Sequence, residues 1–260
     1  NSVKKTVAAS APLFVFADTD IFAKAPKRLT AAGVSDILGK YIALADWKIA
    51  SILSEEYYCA EVVNLETRAV RTVKDNLKEI AAGEEEACEK LMYALVLSGL
   101  AMQMTGSSRP ASGAEHHLVH LWDMEVVNGH LDALHGEKVS GGTMLVLLEY
   151  KKIADAIRRG TCKVHTCTEE DQELLKETFG KKGILGALEK ENTPEPLDDV
   201  STRELSDALP RILKIIDALP AVTDMQEMMN TAGCVSRVRD IGLPGEVIEE
   251  SLLLAPYTRR

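Results

Sequence analysis

Residues 107–143 read SSRPASGAEHHLVHLWDMEVVNGHLDALHGEKVSGGT, and five of the chain's six histidines fall in this run, between His116 and His135. The stretch opens as a loop rich in Ser, Gly and Pro, turns helical at Ala114, and starts a further helix at His135. His116 and His120 are four apart and share one helix face, whereas His117 points about 100° away around the same helix. Histidines scattered singly need no explanation. A cluster at helical spacing beside glycines and charges reads as a site.

Upstream, residues 31–47 read AAGVSDILGKYIALADW, with Asp36 one residue after a cap-like Ser35. Alone, such an Asp is a first-turn residue favoured by the helix dipole. Beside the histidine run it completes a set: Asp36, one histidine of EHHLVH, and His135, from three different helices. Three protein ligands with one open position describe a catalytic rather than a structural metal. An ion so held acts as a Lewis acid on a carbonyl oxygen or activates water, and the residues alone leave hydrolysis and carbonyl reduction both open.

Outward from these segments the pattern is almost entirely helical. Residues 26–28 open a short helix stopped by Gly33, and Ser35 caps a long one from 36 to about 62. Further helices are expected at 65–81, 84–104, 114–127, from 135 with breaks to 160, at 168–180 and at 184–190. Residues 192–200 (NTPEPLDDV) read as a linker, and Ser201 with Glu204 forms a capping box. Pro210 and Pro220 punctuate the next stretch, before two closing helices. At the front, residues 11–18 (APLFVFAD) read as a short buried strand, for which the rest of the chain offers no partner. The expectation is an all-α body, residues 21–260, behind a strand stub and linker, residues 1–20.

Composition narrows the partners. The formal net charge of −10 and a pI near 5.2 argue against nucleic acid or an anionic membrane surface, but not against a small anionic substrate in a locally positive pocket. The longest apolar stretch, residues 91–104, is too short to span a bilayer, so no membrane insertion is expected. The five cysteines are odd in number and lack any CxxC, and no signal peptide opens the chain; both fit a reducing cytoplasm. TCKVHTC, residues 161–167, lacks a second ligand pair and reads as an interhelical loop.

Four segments carry a resemblance: DTDIFAKAPKRLTAAGVSDILGKYIALADWKIA (18–50), SGLAMQMTGSSRPASGAEHHLVH (98–120), LHGEKVSGGT (134–143) and RVRDIGLPGEVIEESLLLAPYTRR (237–260). In this order they resemble the sn-glycerol-1-phosphate dehydrogenases, of the iron-containing alcohol dehydrogenase and glycerol dehydrogenase superfamily. The resemblance implies the C-terminal helical domain of the dehydroquinate synthase-like type. It implies metal ligation by Asp36 of GxxDxxGK, His116 of SGxEH and His135 of HGE, with a second family histidine matching His120. One turn from His116, His120 is the expected catalytic residue, supporting the ligands or handling a proton. The doubled EHH departs slightly from the family's usual EHL. Zinc is the expected metal, with nickel and iron as alternatives. The implied reaction is reduction of dihydroxyacetone phosphate to sn-glycerol 1-phosphate.

For the phosphate, Lys40, Ser108 and Arg109 are the expected binding residues, with Ser107 beside them. NAD or NADP would be bound by a preceding α/β domain whose glycine-rich loop has no counterpart here. The chain therefore reads as the metal- and substrate-binding half of a longer enzyme, or a truncated product, inactive alone. Its expected partner is a small-molecule phosphate, and a homo-oligomer is compatible with it. Alternatives are a glycerol dehydrogenase, against which the SSRPASG loop argues; a dehydroquinate-synthase-like enzyme, which would use Glu where this chain has Asp36; and an idle helical oligomerisation module. Asp46-Trp47 matches the family's DW pair and reads as a packed Trp beside a hydrogen-bonded Asp.

Overall fold

A computed structural model describes residues 10–54, 56–165, 169–193 and 199–258. Helix α1 (Thr19–Ala23) is capped by Asp18, whose carboxylate accepts from the backbone of Asp20 and Ile21. Helix α2 (Lys27–Leu53) follows Pro26, then α3 (Ala60–Lys74) and α4 (Leu77–Ala82), which ends on Gly83 at φ 85°. Next come α5 (Glu85–Thr105), α6 (Ala114–Asp123) and α7 (His135–Arg158). The remainder is α8 (Glu169–Lys181), α9 (Leu185–Glu191), α10 (Thr202–Asp217), α11 (Val222–Thr231) and α12 (Ile248–Leu254), with short 3₁₀ turns around α12. None of these helices is long and apolar enough to cross a membrane.

The all-helical reading holds among the described residues, but the front strand does not form. Residues 11–18 are irregular, and Leu13, Phe14, Val15 and Phe16 are exposed rather than buried. A strand needs a neighbour for its backbone donors and acceptors, and these helices leave none to share.

The second correction is at Gly33 and Ser35. Helix α2 runs through both without a break. Ser35 is no cap: it is buried, and its hydroxyl donates to the Ala31 carbonyl at 2.9 Å. Glycine costs a helix interior about 1 kcal/mol. Burial of Val34, Ile37, Leu38 and Ile42 on the same helix, at about 1.5–3 kcal/mol each, outweighs that. The helix also ends at Leu53, earlier than expected, and α3 begins at Ala60, within the stretch expected to be continuous. Pro210 lies inside α10 rather than between helices. There the stripe of Ala208, Ile212 and Ile216 packs on Ile49, Ile52 and Leu53 of α2, offsetting the lost backbone bond. Ser201 and Glu204 do form the expected capping box. The Thr168 helix start and most of the 192–200 linker lie outside the described residues.

Helix α2 is the axis of the molecule, with α3, α5, α6, α7 and α10 all packed against it. It runs alongside α7 in the same direction: Gly136 abuts Ala32, Gly39 abuts Val139 and Thr143, and Asp46 meets Tyr150. A side chain at Gly136 would place its Cβ 2.1 Å from the Ala32 carbonyl oxygen, so only glycine admits this approach. That contact brings the start of α7 against the second turn of α2.

Candidate metal centre

Three helix segments converge at the close approach of α2 and α7. Asp36 is on α2, His116 in the first turn of α6, and His135 is the first residue of α7. Asp36 Oδ1 lies 3.5 Å from His116 Nε2 and 3.8 Å from His135 Nε2. The two Nε2 atoms are 3.3 Å apart, and the three ligand atoms all lie within 4.8 Å of one another. Tetrahedral bonds of about 2.1 Å imply donor separations near 3.4 Å. The set therefore fits a small divalent ion with one face open.

Two of the candidate ligands, His116 and Asp36, are oriented by a second group. Glu115 Oε1 lies 2.7 Å from His116 Nδ1 and accepts from the Gly113 N–H at 2.9 Å. An oxygen that accepts the backbone N–H is an acceptor for the ring as well, so the ring proton is assigned to Nδ1 and the Nε2 lone pair faces Asp36 and His135. The Asp36 carboxylate divides its oxygens: Oδ1 faces the histidines, and Oδ2 accepts from Lys40 Nζ at 2.9 Å. Burial opposes charge on Asp36, but Lys40 and His116 overcome it and hold the carboxyl well below its ordinary range. Burial likewise opposes a charged His116, yet Asp36 and Glu115 raise its pKa on balance.

His135 is held through its helix start. Glu137, the acid of HGE, accepts from the Leu134 backbone at 2.7 Å and from Arg28 at 2.6 and 2.7 Å. Arg28 is on α2, so this pairing ties the first turn of α7 to the helix that carries Asp36.

Around the three ligands opens a cleft of about 940 Å³. Lys40, Ser98, Ser107, Ser108, Ser112 and His120 are among its lining residues, with the three metal-ligand candidates. Gly106, at φ 63°, ends α5 and turns the chain so that Ser107 and Ser108 face this space. His120 is buried one turn from His116, with ring centroids 6.2 Å apart. Lys40 lines the cleft but is almost fully buried, and its ammonium is engaged by Asp36 and, at 3.0 Å, by the Ala111 carbonyl. Arg109 does not line the cleft; its Nε pairs with Glu56 at 2.8 Å. So Asp36, His116, His135, His120, Lys40 and Ser108 share one space, and Arg109 lies apart.

The sequence reading missed Glu115, Glu137 and Glu66. The adjacent Glu-His and the N3 position of Glu137 were available signals for the first two. Glu66, fully buried on α3, has no hydrogen-bond partner of full geometry, though the Ser98 hydroxyl is beside it. Burial pushes its carboxyl up to about 7, against the pull of Lys40 and Ser98. Nothing in the sequence separates Glu66 from an ordinary surface glutamate of an amphipathic helix.

No family model matches the chain. Curated relatives do. The chain is 33% identical over 251 residues to a glycerol-1-phosphate dehydrogenase (NAD(P)+) of Geobacillus thermodenitrificans, covering 96% of this chain and 55% of the relative. It is 33% identical over 253 residues to the enzyme of that name from Halalkalibacterium halodurans, covering 97% and 55%. It is 39% identical over 161 residues to that of Pyrococcus horikoshii, covering 60% and 46%. The chain thus spans about half the length of the curated relatives it matches. Over nearly its whole length, with an Asp/His/His set at the floor of its cleft, the chain is a relative of the glycerol-1-phosphate dehydrogenases.

Proposed function

We propose that this chain is the metal- and substrate-binding part of a glycerol-1-phosphate dehydrogenase. The whole enzyme reduces the ketone of dihydroxyacetone phosphate to sn-glycerol 1-phosphate, taking a hydride from NAD(P)H and a proton from a group in the cleft. The convergence of Asp36 with His116 and His135 carries this reading, supported by the alignment of nearly all of this chain with about half the length of enzymes of that name. A divalent ion, zinc by preference for an Asp/His₂ donor set, would polarise the ketone and stabilise negative charge developing on its oxygen.

The chain's own residues have distinct tasks. Asp36, His116 and His135 would hold the ion. Glu115 keeps the His116 Nε2 lone pair aimed at it, and Lys40 holds Asp36 by its outer oxygen. His120 is the candidate for handling the proton that the product hydroxyl gains. Ser108, with Ser107 and Ser112, is the candidate for contacting the phosphate. Lys40 supplies positive charge nearby without being available as a solvated donor. The cleft lies near the upper end for small-molecule sites, which leaves room for the end of a dinucleotide.

Hydride transfer needs the nicotinamide about 3–3.5 Å from the substrate carbon. A glycine-rich dinucleotide loop is missing from this sequence, so the dinucleotide would be supplied by a further part of the enzyme. The test has two arms. Metal analysis of the purified chain should find one divalent ion per chain. The full-length protein should oxidise NADH or NADPH with dihydroxyacetone phosphate, and the 260-residue chain alone should not. A chain that takes up no metal even when supplied with excess zinc would sink the reading.

A further inference from the structure

One partly buried carboxylate touches all three of the helices that carry the proposed ligands. Asp46 lies on α2, ten residues or about 15 Å along the helix from Asp36. Its Oδ2 accepts from the backbone N–H of Ala114, the first residue of α6, at 2.6 Å. Its Oδ1 accepts from the hydroxyl of Tyr150, on α7. Ala114 is two residues before His116, and Tyr150 is on the same helix as His135.

We propose that Asp46 is a positioning residue for the metal centre, pinning α6 and α7 to α2 so that Asp36, His116 and His135 meet. The inference rests on the metal reading above.

The geometry supports a clamp rather than an incidental pair of bonds. Because α2 and α7 run in the same direction, Ala32 against Gly136 and Asp46 against Tyr150 are two widely spaced contacts along one seam, and together they fix its register. At the α6 N-terminus, where the first backbone N–H groups lack a carbonyl one turn earlier, Glu115 accepts from Gly113 and Asp46 accepts from Ala114. Space around that bond is filled: a Cβ on Gly113 would lie 2.5 Å from Asp46 Oδ2, 2.8 Å from the Ala43 Cα and 2.9 Å from Glu115 Oε2. Gly113 and Ala114 therefore cannot slide past Asp46, and Glu115 and His116 come directly after them in the chain. Next to Asp46, Trp47 is buried and donates from Nε1 to the Tyr57 carbonyl at 3.0 Å, holding this turn of α2 in place.

A merely structural role would lower stability without singling out the metal site, so the test compares two kinds of substitution. Asp46→Asn and Tyr150→Phe each weaken the clamp. Ser251→Ala instead removes a buried hydrogen bond from Trp122 at the far end of α6, to a helix that carries no ligand. Zinc affinity of the 260-residue chain is measured by competition with a chromophoric chelator. Amide hydrogen exchange over residues 113–118 is measured with metal removed.

The expected result is a zinc affinity roughly 10–100-fold weaker in Asp46→Asn, a smaller loss in Tyr150→Phe, and faster exchange at 113–118 in both. Ser251→Ala should change thermal stability and leave zinc affinity within about threefold of the parent. Affinity losses in the clamp variants no greater than in Ser251→Ala would overturn the proposal. If Asp46→Asn does not fold, Tyr150→Phe decides alone, since it leaves the bond to Ala114 in place. A parent chain that binds no zinc defeats the metal reading and, with it, the role at a metal centre; unchanged exchange at 113–118 separately defeats the clamp.

Discussion

Glu115 Oε1 and His116 Nδ1 are 2.7 Å apart, although the two residues are adjacent in sequence and both side chains are buried. Neighbouring residues on a helix ordinarily diverge by about 100°. These two meet because α6 begins at Ala114, so Glu115 folds back to its own helix N-terminus and bonds Gly113 while the ring turns towards it. The contact fixes which imidazole nitrogen faces the cleft.

Replacing Glu115 should therefore act on the metal before it acts on the fold. Glu115→Gln keeps an acceptor for Nδ1 but removes the charge that makes His116 a stronger ligand. Zinc affinity should fall by about 10-fold or more, with helix content by circular dichroism unchanged. An affinity equal to the parent's would mean the contact does not tune His116.

His135 and His120, whose ring centroids lie 5.2 and 6.2 Å from that of His116, should separate cleanly. His135→Ala removes a proposed ligand and should abolish stoichiometric metal in the chain and activity in the full-length enzyme. His120→Ala should keep most of the metal and lower turnover. Atomic absorption on the two purified variants checks this, and equal metal loss in both would make His120 a ligand itself.

Gly136→Ala should be far more damaging than a one-methyl change in a helix normally is. The added Cβ would lie 2.1 Å from the Ala32 carbonyl oxygen and 2.7 Å from its Cα, both backbone atoms that cannot swing aside. The helices must part, at a cost of about 1–3 kcal/mol typical of overpacking. Because His135 precedes Gly136, metal affinity should fall with stability. Thermal melts of the metal-free and zinc-loaded variant measure both.

Glu66 should give the chain an inverse pH dependence. Its carboxyl is near 7 in the folded chain, chiefly through burial, against about 4.3 in an unfolded one. Between those values the folded state holds a proton that the unfolded state has released. Stability from this group is therefore full below about pH 4 and falls as pH rises to 7, then levels off. Glu66→Gln removes that slope. Denaturant titrations with a chelator present should show parent and variant converging at low pH and differing by on the order of 3 kcal/mol at pH 8, in the variant's favour. A gap that does not change with pH would show that Glu66 is ionised throughout.

The candidate histidines and most of the helices were legible in the sequence because their signals are local. His116 and His120 at spacing four, Ser201 with Glu204, and Gly83 after an apolar run each depend only on residues within a turn or two. The boundaries that failed were those where a local signal met a stronger distant one. Gly33 and Ser35 look like a helix stop and start, but α2 is enclosed by its neighbours and the burial of Val34, Ile37 and Leu38 carries the helix through. The apolar residues 13–16 look like a strand, yet a strand is decided by a neighbouring chain segment.

By itself, the sequence determined that the chain is helical and that Asp36, His135 and one histidine of EHHLVH form a candidate set, since residue type and helical spacing are enough for both; the choice of His116 rested on the family resemblance. The tertiary structure decided how they are used. It set Lys40, a candidate phosphate donor, against Asp36, paired Arg109 with Glu56 outside the cleft, and buried Glu66 without a full hydrogen bond. It also joined Asp46 to Ala114 and Tyr150 across separations of 68 and 104 residues. A side chain's intrinsic chemistry is written in one letter, but its partners depend on which helices lie within about 3 Å of it, and only packing decides that.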